Sequence, residues 1–166
     1  MKAGFCQVST STTAPRSSTR WTQLVLLLDV NVLVYAHRQD AVDHTRYRDW
    51  VDAMLRADAA FATSEMVLSG FLRVVTHPRI FKIPSPFDVA VAFADAIRQR
   101  PNAIAVAPGE RHWEIFIRLC RKADARGNLV ADAYLAALAI ESGCEWITTD
   151  RDYSRFDGLH WRHPFD

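Results

Sequence analysis

Five consecutive apolar residues, Leu24-Val25-Leu26-Leu27-Leu28, run without alternation into a single acid, Asp29. Such a run reads as a strand buried on both faces, the condition of a central strand in a parallel sheet. The carboxyl end of that strand delivers Asp29 to the sheet edge where α/β proteins bind their ligands. The chain has 166 residues and is 49% hydrophobic, which suits one domain with its own core.

The remaining pattern alternates helices with strands. A helical turn is expected from Val32 to Ala36, and a helix from Asp40 to Asp58 with Val42, Tyr47, Trp50, Val51, Met54 and Leu55 on its apolar side. A short strand at 59–63 leads to Ser64, which caps a helix stopped near Pro78. Ser85-Pro86-Phe87-Asp88 predicts an N-cap at Ser85, with Pro86 at N1 and a capping-box contact from Asp88. Further strands are expected at Ala103–Val106, Glu145–Thr149 and Leu159–Trp161, with helices at Gly109–Ala125 and Leu129–Ser142. Asn128 is the expected cap of the last helix. This order predicts an α/β fold of three layers, helices on both sides of a mostly parallel central sheet of four to five strands.

Several function classes are disfavoured. No run approaches the roughly 20 apolar residues of a membrane helix. A net charge of +1 does not mark the whole chain as a nucleic-acid binder, so any such contact must be local. Cys6, Cys120 and Cys144 show no CxxC spacing, and reduced thiols in a cytoplasmic protein are expected. Residues 1–23 are rich in Ser and Thr, carry Lys2, Arg16 and Arg20, and lack acids and a secretory apolar core. They are expected to be a disordered tail or a mis-assigned extension, with the folded domain spanning 24–166.

Four acids are positioned to meet. Asp29 follows the first strand, Glu65 the second, Asp150 the fourth, and Asp132 lies early in the helix opened by Asn128. Strand ends and the helix starts that follow them share one rim. Crowded carboxylates repel, and a hard divalent cation relieves them; all-oxygen ligation favours magnesium or manganese over zinc. Such ions complete their shell with water and phosphate oxygens, which points to phosphoester chemistry. Each acid alone also makes sense as a turn former or a helix-dipole partner.

Asp29-Val30-Asn31, the segment Asn128-Leu129-Val130-Ala131-Asp132-Ala133, and Thr148-Thr149-Asp150-Arg151-Asp152-Tyr153 occur in this order. With Gly70-Phe71-Leu72-Arg73-Val74-Val75-Thr76-His77-Pro78-Arg79-Ile80-Phe81, they resemble the PIN-domain toxins called VapC, especially the mycobacterial group. The resemblance covers roughly Leu26 to the C-terminus. It implies a PIN-like fold and a metal-dependent endoribonuclease that cuts structured RNA, transfer or ribosomal, with a metal-activated water. Asp29, Asp132 and Asp150 would hold Mg2+ or Mn2+, with Asn31, Thr149 and Asp152 beside them. A homodimer, a cognate VapB antitoxin and a cytoplasmic location are implied as well. The chain departs from the family pattern at Gly70, where the second acid usually stands. Glu65 lies five residues earlier, about 500° around the helix, and either reaches the site from another angle or only serves the helix end.

Hydrolysis by an activated water leaves a 5′-phosphate and a 3′-hydroxyl. Six histidines show no metal spacing and are expected to be surface or RNA-facing residues. Candidate phosphate contacts are Arg38, Arg73, Arg79, Lys82, Arg151 and Arg155, the last two best placed beside Asp150. Arg118, Arg121, Lys122 and Arg126 are expected to form a solvated face. Trp50, Met54, Phe71 and Leu72 are candidates for an antitoxin groove or dimer seam. Two alternatives remain: a PIN fold that binds RNA or protein without cutting, suggested by Gly70, and a haloacid-dehalogenase-like phosphatase, which would want an acid where Asn31 stands.

Overall fold

The computed structural model describes residues 24–166, so the expectation for residues 1–23 lies outside it. The sheet has five parallel strands: β1 (Val25–Leu28), β2 (Phe61–Thr63), β3 (Ala103–Ala105), β4 (Cys144–Ile147) and β5 (Trp161–Arg162). Their spatial order is β3-β2-β1-β4-β5. The apolar run at Leu24 to Leu28 is thus the central strand. Leu27 pairs with Ala62 on one side and Trp146 on the other, and Leu27 and Leu28 are buried.

Helices α1 (Val30–His37), α2 (His44–Arg56), α3 (Glu65–Val75) and α4 (Phe87–Arg98) pack in succession, α1 touching α2 and α3, and α3 touching α4. Helices α5 (His112–Lys122) and α6 (Asn128–Ser142) form a second packed pair. With this strand order, the right-handed rule for parallel crossovers assigns the first group to one face of the sheet and the pair to the other. The strand order reverses about β1, because the chain runs outward through β2 and β3 and then returns to β4. That reversal opens a crevice at the carboxyl ends of β1 and β4, the place where such sheets bind ligands.

Local details differ from the sequence-based expectation. Pro86, not Ser85, is the N-cap of α4, and no capping side-chain bond forms there. The Ser85 hydroxyl is engaged elsewhere: His37 Nε2 lies 3.0 Å from it, and Arg38 donates to it at 3.2 Å. Asn128 is the first residue of α6, preceded by Gly127 at φ 56, a left-handed value that favours glycine. The expected turn at Val32–Ala36 is a full helix from Val30, and a 3₁₀ helix at Arg151–Arg155 has no counterpart in the expectation. His112 is buried, not on the surface; its Nε2 lies 3.0 Å from the Tyr134 carbonyl. Phe71 is fully buried and belongs to the core rather than to a partner groove.

Helices α1 and α3 approach closely at Gly70. A Cβ built there would lie 2.9 Å from Val30 Cγ2. Alanine in place of a helical glycine gains about 1 kcal/mol, but overpacking costs roughly 1–3 kcal/mol. Gly70→Ala is therefore expected to be neutral or destabilising in the native background. In a Val30→Ala background the same change should stabilise by about 1 kcal/mol. Urea unfolding of the four proteins checks this; equal effects in both backgrounds would show that the contact is not what keeps residue 70 bare.

Candidate active site at the sheet switch point

Asp29 ends β1 and caps α1. Its amide donates to the Ile147 carbonyl at 2.9 Å, which continues the β1–β4 ladder and locks the residue beside β4. Only 5% of its surface is exposed. Its Oδ1 accepts from the Val30 amide at 2.6 Å. Its Oδ2 accepts from Asn31 Nδ2 at 2.9 Å and from the Thr148 hydroxyl at 2.6 Å.

Thr148, the residue after β4, is completely buried and joins three groups. Its hydroxyl donates to Asp29 and accepts from Asn31 Nδ2 at 3.2 Å and from the Asp150 amide at 3.0 Å. One donor and two lone pairs are all a hydroxyl has, so Thr148 is saturated. Sequence reasoning singled out Thr149 instead. Thr149 contributes only its backbone amide, which donates to Asn31 Oδ1 at 3.4 Å. The available signal was the period of a strand end: successive side chains face opposite ways, so Thr148 and Thr149 do not both turn toward Asp29.

Asp132 is the fifth residue of α6 and lines the same cavity as Asp29. The cavity measures about 600 Å³; α3 and Phe116 complete its wall. A second recess of about 500 Å³ lies at the opposite sheet edge beside Leu24, Trp50 and Met54, with Arg162 as its charged lining residue. Among the described residues no acid lines it, so the acid-lined cavity is the candidate site.

Burial pushes the Asp29 carboxyl from its ordinary 3.8 up to about 6; the charges of Asp132 and Asp150 add to this, while the bonds from Thr148 and Val30 oppose it. Asp132 is likewise raised to about 6, first by desolvation and then by Asp150 and Asp152, against a stabilising contact from Tyr153. The acids therefore sense one another across a single rim. Asp150 caps the 3₁₀ helix through its bond from the Asp152 amide at 2.8 Å. Even so, among the described residues no three His, Cys, Asp or Glu side chains stand as a ready-made metal-holding group. The expected trio of ligands is brought to one neighbourhood without being closed into one shell.

Glu65 does not join the cluster. It is exposed at the start of α3, and its Oε1 accepts from Arg98 at 3.2 Å beside a separate recess formed with Ala105 to Pro108. The half-turn offset from position 70 sends it to that face. Asp152 is exposed and lies 3.4 Å from Arg155, which partly neutralises both. Arg151 is exposed directly after Asp150, Arg79 is exposed in the segment after α3, and Arg73 lines the acid cavity itself. Arg38 is buried in a bidentate pair with Asp40 and holds the Ile83 carbonyl, so it serves the fold.

An α/β sheet with acids at its switch point defines a class, and comparison with known proteins agrees. Residues 26–159 match the PIN domain family, and the chain belongs to it. Within that family its similarity is to VapC ribonucleases. It is 44% identical to ribonuclease VapC43 of Mycobacterium tuberculosis over 142 residues, 86% of this chain and 97% of that one. It is 43% identical to ribonuclease VapC25 of the same species, over 84% of this chain and 99% of the other. Among solved structures, VapBC2 from Rickettsia felis bound to promoter DNA superposes with a TM-score of 0.61 at 17% identity, covering 84% and 98%. Mycobacterium tuberculosis VapC20, a sarcin-ricin loop cleaving toxin, gives 0.56 at 18% identity, covering 78% and 92%. At those identities the structures bear on the fold alone.

The raised carboxyls have a consequence for stability. In the fold, both acids hold protons that the unfolded chain has already lost. As pH rises from about 4 to about 6, the metal-free protein should lose stability, then level off. Asp132→Asn removes one of the two charges. After allowance for solvent screening at this half-exposed position, the gain is about 1 kcal/mol, or roughly 2–4 °C of melting temperature at pH 7.5, and none at pH 4. Thermal melts in chelator at the two pH values check it; a variant less stable than wild type at pH 7.5 would contradict the assignment.

Proposed function

We propose that residues 24–166 form the nuclease domain of a toxin of the VapC type, an endoribonuclease dependent on Mg2+ or Mn2+. The observation that carries this is the pairing of Asp29 and Asp132, both reluctant to ionise, in one cavity at the sheet switch point. Two acids that resist ionisation in a shared cavity are a natural seat for a cation. An ionised carboxylate offers about four acceptor positions. Val30, Asn31 and Thr148 occupy three on Asp29, which leaves Oδ1 room for one more partner. Magnesium is held by one or two carboxylates with water and phosphate oxygens filling the shell, so this donor set fits it without a closed trio. Asp29 and Asp132 are the proposed ligands, and Asp150 joins them directly or through water.

When bound, a divalent cation supplies Lewis-acid activation of water and neutralises phosphate charge. The chain does the rest. Thr148 and Asn31 hold Asp29 in one orientation. The Asp150 backbone is tied to the same hydroxyl, so the two acids keep their spacing. Water attacks phosphorus, the P–O3′ bond breaks, and the 3′ oxygen leaves with a proton. The products carry a 5′-phosphate and a 3′-hydroxyl.

Arg151 on the rim, with Arg155 and Arg79, would attract the RNA backbone in a salt-dependent way. Structured RNA, transfer or ribosomal, is the proposed substrate, in keeping with the sarcin-ricin loop cleavage of VapC20. The proposed partner is a cognate antitoxin, as the VapBC assemblies among the structural neighbours suggest, and the proposed assembly is a homodimer in the cytoplasm. Among the described residues no helix is long and apolar enough to cross a membrane.

A second reading, a PIN fold that binds RNA without cutting it, is favoured by the bare position at Gly70 and the unassembled trio. Cleavage of total transfer and ribosomal RNA with Mn2+ separates the two. Wild type is expected to cut, leaving 5′-phosphate ends. Asp29→Asn and Asp132→Asn should each lose at least about 100-fold in rate while remaining folded. Products ending in a 2′,3′-cyclic phosphate, or full activity in Asp132→Asn, would defeat the proposal; RNA binding with no cutting would establish the second reading.

A further inference from the structure

The cavity that holds Asp29 and Asp132 has a facing wall which the acids do not explain. Met66, Ser69, Gly70 and Arg73 of α3 build it. Among the described residues Arg73 is the one cation lining the cavity. Among the described residues it makes no ion pair, although two carboxylates share its cavity. Arg73 therefore shares the cavity with both carboxylates without pairing with either.

Gly70 lies one turn before Arg73 on the same face of α3 and lines the same space. It is bare for a local reason, the close approach of Val30, which lines the cavity as well. The cavity thus carries two carboxylates and an unpaired, permanently charged fork, with an unfilled gap lined by all three. A tetrahedral phosphate has two non-bridging oxygens to place in such a gap. One suits a cation shared with the acids, and the other suits a guanidinium, whose planar donors match phosphate oxygens in pairs.

We propose that Arg73 grips the phosphate being cut. This deepens the nuclease reading and rests on it. It gives Arg73 a task distinct from that of the rim arginines: contact with the reacting group in place of general attraction to the backbone.

The test compares Arg73→Gln and Arg73→Lys with Arg56→Gln, an exposed arginine at the end of α2. Cleavage of total transfer RNA is measured with Mn2+. Binding of the same RNA is measured without metal, across a salt series, in an Asp29→Asn background. Arg73→Gln is expected to lower kcat by about 100-fold, the scale of losing one preorganised charge donor. Arg73→Lys should recover part of that loss, because it keeps the charge but not the fork. Without metal, Arg73→Gln should reduce the slope of log affinity against log salt by about one, and Arg56→Gln should change neither readout.

Cleavage by Arg73→Gln within twofold of wild type, or an unchanged salt slope, would overturn the proposal. Should Arg73→Gln fail to fold, Arg73→Lys decides: about tenfold slower cleavage with an unchanged melting temperature supports the proposal, and wild-type cleavage rejects it. If wild type cuts no RNA at all, the nuclease reading falls, and the binding series still decides whether Arg73 contacts phosphate.

Discussion

The hydroxyl of Thr148 on the carboxylate of Asp29 is the contact on which the site depends. It spans 2.6 Å between residues 119 positions apart in the chain and joins the ends of two neighbouring strands. Parallel pairing of β1 with β4, Leu28 opposite Ile147, brings the two residues side by side. That pairing exists because both strands are apolar enough to be buried in the middle of the sheet. The core thus sets the register, and the register sets the site.

The site is held under electrostatic tension. Desolvation and mutual repulsion keep Asp29 and Asp132 partly protonated at pH values where free carboxylates are fully ionised. A fold optimised only for stability would place an apolar or amide side chain at one of the two positions. Natural chains retain such costs where a ligand offsets them, and an ion sharing the two carboxylates would do so here. The surrounding bonds sharpen the point. The Val30 amide, the Asn31 amide and the Thr148 hydroxyl orient Asp29 without neutralising it, leaving a negative group that is rigid and only partly satisfied.

Much of this was legible in the amino-acid sequence, and the exceptions have physical causes. The unbroken run Leu24 to Leu28 identified the central strand, because only a strand covered on both faces tolerates no polar alternation. Asp29, Asp132 and Asp150 followed from strand ends and a helix start, positions that the parallel topology converts into one rim. Thr148 was missed because a threonine in a β-rich segment reads as ordinary strand composition; its role depends on a partner over 100 positions away. The Ser85 cap failed for a similar reason: Arg38 and His37 claim the hydroxyl, and local pattern cannot register a competitor distant in sequence. Glu65 was ambiguous by its helix angle, and the pair with Arg98 settles which side it faces. The short 3₁₀ helix after Asp150 carries no periodicity long enough to be read.

The central claim is that Asp29 and Asp132 hold one divalent cation between them. Calorimetric titration of Mn2+ into wild type, Asp29→Asn and Asp132→Asn at pH 7.5, with no RNA present, addresses it directly. Saturable binding by wild type, weakened at least about 10-fold in each variant, is the predicted result, in line with the loss of a ligand's charge. Equal affinity in all three proteins would place the ion elsewhere and contradict the account.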